Sequence, residues 1–245
     1  TIGAHNSGAI MSLGQRLSRR SLDAIALAAL VGTLAFTARA DDAVTIDSRV
    51  YVNKGLQGVG RLPADLRDRF GETFGSGSGL AVDLQSWVRS PNGYRGTFFS
   101  LPDRGYNVGR TTDYRSRINK LSISFTPRHE AGADSSTPNI TATLVDTMLL
   151  TDPSGAPLTG LDPGENGVRP AANGFPDLPQ AANGRVSLDA EGLALLASGD
   201  LLVSDEYGPY LYRFSPAGRL LAAIRPPEAF IPKRRGLDHF SSNNP

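Results

Sequence analysis

Past residue 40 the apolar residues come in short runs rich in Val, Ile, Leu, Phe and Tyr, broken every few positions by Gly, Pro, Asn and Asp. That rhythm predicts strands joined by tight turns, and so an all-β protein. The runs fall into two sets. The first opens with Gly79-Leu80-Ala81-Val82, continues through 96–100 to Asp103-Arg104-Gly105, and is completed by 121–125 and 141–150. The second opens with Gly192-Leu193-Ala194-Leu195, runs through 201–204 into Asp205-Glu206, and is completed by 210–214 and 219–224. Ser198-Gly199-Asp200 and Ser215-Pro216-Ala217-Gly218 carry turn chemistry, which makes the second set an up-and-down meander of four strands. Only 63–70, with Pro63 first and its charges on one face, reads as helix, and it is expected as a short connector.

Four short strands per unit behind a Gly-Leu-Ala opening is how the blade of a β-propeller reads. Blades run ~40–50 residues and a ring needs at least about four of them, so two units predict an incomplete propeller and a chain that is an N-terminal fragment. A strand pair near 44–52 is a candidate to complete the last blade of the closed ring. Between the units, 151–185 is rich in Pro, Gly, Asn and Asp and is expected as a long loop. It either lies over one face of the propeller or is an insertion without a role.

The first forty residues read differently. Arg16, Arg19 and Arg20 precede an apolar stretch over 24–36, and Ala38-Arg39-Ala40 has the small-x-small form of a cleavage site. Residues 1–40 are therefore expected to be an export signal, with 41–245 the mature domain. Ser18-Arg19-Arg20-Ser21-Leu22 has a twin-arginine flavour, and Met11 offers a start that would leave 1–10 outside the native chain. The apolar stretch falls short of the ~20 residues a membrane span needs, so no membrane attachment is expected after signal removal. The formal charge of the whole chain is +1, and the mature part is slightly acidic, which gives no bulk case for nucleic-acid binding. Cysteine is absent, which excludes disulfides, thiolate metal sites and a cysteine nucleophile.

Candidate chemistry gathers where strands end. Asp103 follows the second strand of one unit, and Asp205 and Glu206 follow the second strand of the other. Equivalent positions of different blades face a common axis, so these acids are expected to converge although they lie far apart in sequence. Asp189 and Glu191, two apart, would point the same way on an extended chain. Convergent carboxylates suit Ca²⁺, which takes about six to eight oxygen ligands. The plain alternative is that Asp and Glu are poor strand residues and good turn residues, and so collect at strand ends without a metal. Arg104, Arg110, Arg115, Arg117 and Lys120 cluster after Asp103, and Arg104 and Arg117 are the candidates for holding an anionic substrate. Other devices are missing or weak: Gly77 stands where a G-x-S-x-G elbow needs its nucleophile, and His129-Glu130 lacks a second histidine four residues on. His129 and His239 read as surface histidines, and Asn139-Ile140-Thr141 is a glycosylation triplet that a eukaryotic host could use.

Four motifs, Leu188-Asp189-Ala190-Glu191-Gly192-Leu193-Ala194, Ser204-Asp205-Glu206-Tyr207-Gly208-Pro209, Phe214-Ser215-Pro216-Ala217-Gly218 and Ser100-Leu101-Pro102-Asp103-Arg104-Gly105-Tyr106-Asn107, together resemble the phytase-like family, the domain named for the esterase-like activity of phytase. The likeness covers most of 75–245. It implies an exported β-propeller that hydrolyses phosphate or carboxylate esters with the help of calcium, located in the periplasm or outside the cell. Ala190 replaces the Pro that the family usually has between the two acids, and the family continues past Pro245 with another Glu-Gly-Leu-like segment. On this reading Asp103, Asp189, Glu191, Asp205 and Glu206 hold Ca²⁺, Arg104 and Arg117 steady the negative charge of a small ester substrate, and Glu191 or Glu206 serves instead as general base. The residues alone leave open a non-catalytic secreted propeller that binds a carbohydrate or protein partner, with Ca²⁺ purely structural, and a lactonase-like hydrolase of cyclic esters.

Overall fold

The computed structural model describes residues 43–105, 113–128 and 137–242. The signal, Arg110 and His129 lie outside them. The chain divides into two units, one ending at Gly55 and one starting at Leu56. In the first, β1 (Ala43–Ile46) and β2 (Arg49–Val52) pair antiparallel with Ile46 opposite Arg49. Asp47 and Ser48 both take positive φ, 47° and 64°, which gives the two-residue turn the twist that paired strands need.

The second unit holds the two predicted strand sets as two four-stranded antiparallel sheets. β3 (Gly79–Ser90), β4 (Gly93–Leu101), β5 (Arg117–Phe125) and β6 (Ile140–Leu149) pair in chain order. After two short strands, β7 (Val168–Arg169) and β8 (Leu178–Pro179), the second sheet runs β9 (Ala190–Leu195), β10 (Leu201–Asp205), β11 (Leu211–Phe214), β12 (Leu220–Ile224), again in chain order. A 3-10 turn at Glu228–Phe230 and the hairpin of β13 (Lys233–Arg234) with β14 (Leu237–Asp238) follow. The protein is all-β, with no α-helix among the described residues, and its sheets form no closed ring there.

The alternation read from sequence is what builds the core. Leu201 and Val203 of β10, Tyr212 and Phe214 of β11 and Ile118 of β5 turn inward and meet Leu101, Leu150, Val186 and Leu188 in one cluster. Each such side chain contributes about 1.5–3 kcal/mol on burial. β9 packs against β3 and β4, so the first strands of the two sheets lie side by side. Gly79 makes that approach possible, because a Cβ there would stand 3.0 Å from Leu193 Cβ. The contact joins the two Gly-Leu-Ala openings.

Two expectations fail locally. Residues 63–70 form turns, and an isolated bridge pairs Arg67 with Thr73. Asp68 Oδ1 accepts the amides of Phe70 (2.8 Å) and Glu72 (3.1 Å), and the backbone NH of Asp68 donates to the Glu72 carbonyl (2.8 Å). Those bonds close a tight reversal in place of a helix. Residues 151–185 are not structureless either. Thr151 donates its amide to the Gly218 carbonyl (2.8 Å) and accepts from Leu220 (2.8 Å), Thr159 bridges Ser187, and Leu158 and Leu178 enter the core. The triplet asparagine is also committed: Asn139 Oδ1 accepts the Val59 amide (2.8 Å), and its Nδ2 donates to the Gln57 carbonyl (2.9 Å) and the Thr126 carbonyl (2.5 Å). A glycan on Nδ2 would take the place of one of those two donated hydrogens.

Candidate metal centre

The site is built where β9 and β10 lose register. Ser204 pairs with Gly192 and Asp205 with Ala190, so Glu191 is the unpaired extra residue of a β-bulge. A bulge bends its strand and re-aims the side chain it carries. Here it brings Glu191 to the side of Asp189 and Glu206, and one carboxylate oxygen from each of the three lies within 4.8 Å of the others. Asp189 is buried while Glu191 and Glu206 are exposed, which gives the group a closed floor and an open mouth. The Glu206 amide donates to the Asp189 carbonyl (2.9 Å), tying the two chain segments together.

Asp205 is not a member of this group. Its side chain turns inward, where Oδ1 accepts the amides of Asp189 (2.9 Å) and Tyr207 (3.1 Å) and Oδ2 accepts the Gly208 amide (3.1 Å) and the Tyr212 hydroxyl (3.3 Å). With both oxygens spent on four donors, it shapes the turn that presents Glu206 and has nothing to offer a metal from outside. Burial pushes its carboxyl up to about 8, against the pull of the amides that favour the charged form.

The first sheet contributes Arg104. Its amide donates to Asp189 Oδ1 (3.1 Å) and its Nε faces Asp189 Oδ2 at 3.3 Å, while Nη1 donates to the Tyr207 hydroxyl (3.0 Å) and to Ser242 Oγ (3.2 Å). The two strand sets meet here through Arg104, and not through the convergence of Asp103 with Asp205 and Glu206 that their positions after the second strands suggested. Asp103 lies close enough for its charge to act on Glu191, but it stands outside the three-carboxylate group. Its Oδ1 accepts the Gly105 amide (2.6 Å) and its Oδ2 the Ser78 hydroxyl (3.4 Å), and it lines a cleft of about 610 Å³ with Glu72, Ser76, Asp113 and Tyr114. Burial pushes Asp189 up to about 6, opposed by Arg104 and helped by the charge and hydrogen bond of Glu206. Burial also raises Glu191, with further pushes from Asp189, Glu206 and Asp103. Mutual repulsion of this kind is what a bound cation relieves.

Arg117 has to be removed from the substrate-holding set. Its side chain is fully buried, its Nη1 pairs with the equally buried Asp68, its Nε donates to the Arg115 carbonyl (2.9 Å), and its guanidinium lies 4.5 Å from the centre of the Tyr114 ring. Nothing in solution can reach it. Of its neighbours, Arg115 stacks on Phe70 at 5.3 Å and Lys120 is exposed on β5. Sequence reasoning passed over Tyr207, Asp162 and Ser242, which hold Arg104 in place. Only Tyr207 carried a signal, as part of the Asp205-Glu206-Tyr207-Gly208 run.

A family model described as "Phytase-like: Esterase-like activity of phytase" matches residues 72–244. The chain belongs to the phytase-like family. A protein of Arthroderma benhamiae (strain ATCC MYA-4681 / CBS 112371) named "Uncharacterized secreted protein" is 42% identical to it over 213 residues, which cover 81% of this chain and 41% of the relative. The phytase-like chain thus spans about two fifths of that relative's length. No solved structure matches it. Among its described residues no helix is long and apolar enough to cross a membrane.

Proposed function

We propose that this phytase-like chain carries the site of a secreted, calcium-assisted hydrolase of phosphate or carboxylate esters, built on a β-propeller of which it supplies two blades. The observation that carries the reading is the meeting of Asp189, Glu191 and Glu206 with Arg104 of the other sheet. All three acidic side chains offer hard oxygens, with no imidazole or thiolate among them, and that donor set fits Ca²⁺. Asp189, Glu191 and Glu206 would hold the ion, and its chemistry there is Lewis-acid polarisation of the ester. Glu191 and Glu206 are the exposed members, so either is placed to take a proton from an attacking water. Arg104 is the cation placed to face negative charge that develops on the substrate. The name of the secreted relative and the leader-like pattern of 1–40 support export. The side-by-side first strands of two four-stranded sheets support the propeller.

A structural role for calcium is the second reading. It is favoured by Asp189, whose two oxygens already bind the 104 segment, so that an ion there would pin two loops together. One experiment separates the two. The full-length protein is assayed on p-nitrophenyl acetate and p-nitrophenyl phosphate with and without a calcium chelator, and its melting is followed in parallel. Activity lost without unfolding supports the hydrolase. No turnover of either ester, with a lowered melting temperature on chelation, supports the structural role.

A further inference from the structure

The hydrogen-bond inventory of Arg104 says more about the substrate than its charge does. A guanidinium has five N–H donors. Nε forms an ion pair with Asp189 Oδ2, and the two Nη1 hydrogens go to the Tyr207 and Ser242 hydroxyls. Both hydroxyls are themselves fixed. Tyr207 donates its proton to the Gly160 carbonyl (2.9 Å) and Ser242 donates its own to Asp162 Oδ2 (2.9 Å), so each must turn a lone pair toward Arg104. Asp162 is the anchor: it is buried, and beyond the Ser242 hydroxyl it accepts the Ser242 amide (2.8 Å), the Ser241 hydroxyl (2.6 Å) and the Gly164 amide (2.7 Å). The Tyr207 ring lies beneath the guanidinium at 5.5 Å. Among the described residues only Nη2 has no partner.

Arginine ordinarily grips phosphate through two parallel bonds from neighbouring nitrogens. Each pair of adjacent nitrogens in Arg104 includes one that is already engaged, Nε by the Asp189 carboxylate and Nη1 by its two hydroxyls. A single nitrogen suits a reaction that develops charge on a single oxygen, as acyl transfer does in its tetrahedral intermediate. A phosphoryl group spreads its charge over three oxygens and arrives as a dianion. That dianion would also meet the carboxylates of Asp103, Glu191 and Glu206, and like charges brought together repel. We propose that Asp162, acting through Ser242, holds Arg104 so that only Nη2 meets the reacting group, and that this clamp selects an uncharged carboxylic ester over a phosphomonoester. The specificity half rests on the hydrolase reading above; the clamp half does not.

The test uses the full-length protein and the Ser242→Ala and Ser242→Thr variants. Ser242 is exposed, so its replacement leaves the core intact. On p-nitrophenyl acetate, Ser242→Ala is expected to lower kcat about 10-fold or more with KM within about twofold, and Ser242→Thr, which keeps the hydroxyl, to recover most of it. Wild type is expected to show kcat/KM at least about 10-fold higher on p-nitrophenyl acetate than on p-nitrophenyl phosphate. Independently of turnover, the Arg104 Nη1–H resonance, whose hydrogen goes to Ser242, should exchange with solvent slowly in wild type and Ser242→Thr, and faster in Ser242→Ala. Preference for the phosphate ester overturns the specificity half. Equal kcat and equal exchange in Ser242→Ala and wild type overturn the clamp. If neither ester is cleaved, the hydrolase reading and the specificity fall together, and the exchange rates still decide the clamp.

Discussion

Removing either partner of the buried Arg117–Asp68 pair tests both the fold and the correction to the site. Both side chains are inaccessible to water. Arg117→Met leaves Asp68 Oδ2 without its cation, and Asp68→Asn leaves the guanidinium uncompensated while Oδ1 can still accept from Phe70 and Glu72. An orphaned buried charge costs about 3–5 kcal/mol. For a chain of this size each kcal/mol lowers Tm by about 2–4 °C, so each single variant should melt ~6–20 °C below wild type. The double variant carries neither charge and should return to within about 2 kcal/mol of wild type, far short of the sum of the singles. Urea denaturation of the four proteins measures the cycle. Ester hydrolysis per folded molecule should be the same in Arg117→Met as in wild type, because Arg117 touches nothing at the three-carboxylate group. A loss below about 1 kcal/mol in both singles would refute the energetic reasoning. Activity falling further than the folded fraction would return Arg117 to the site.

Three further outcomes are expected. Asp205→Ala frees three buried amides at about 1–3 kcal/mol each and unmoors Glu206, so urea unfolding should show a loss of at least ~3 kcal/mol and calorimetric titration a weaker Ca²⁺ affinity; unchanged affinity would separate the turn from the site. Glu191→Gln, on an exposed side chain, should weaken Ca²⁺ binding about 10-fold with Tm moved by less than ~2 °C, and equal affinity would exclude Glu191 as a ligand. Burial pushes the Asp152 carboxyl up, yet the bonds from Ser154, Arg169 and the Ala156 amide outweigh it and leave it below its ordinary 3.8. Its stabilisation is therefore complete above the unfolded value and is lost as pH falls through the folded one, so the stability gap between wild type and Asp152→Asn should be full at pH 6 and shrink as pH falls below 3.8. A gap that persists in acid would contradict it.

The strand sets were legible because two local signals agreed. Apolar alternation marked 201–204 and 210–214, and the turn residues between strands behave as their types require: Gly199 and Gly218 take φ of 85° and 82°. What sequence concealed depends on partners far along the chain. Asp68 looked like a helix charge until its carboxylate met Arg117, 49 positions away. Asp205 and Glu206 are neighbours with opposite fates: Asp205 turns inward onto four donors while Glu206 joins the acidic group, a difference set by the chain partners around them and not by either residue type. Asp162 and Ser242, 80 positions apart, are a common acid and a common hydroxyl whose role exists only through Arg104.

The stitch at Thr151 sets an order of events at the ribosome. Its bonding partner Gly218 is made 67 residues later, which is roughly 3–13 s at ordinary rates of synthesis. The first sheet can zip up locally as it emerges, but the Thr151 bonds to Gly218 and Leu220 must wait until those residues have been translated. That interval is when the nascent chain is most open to a chaperone.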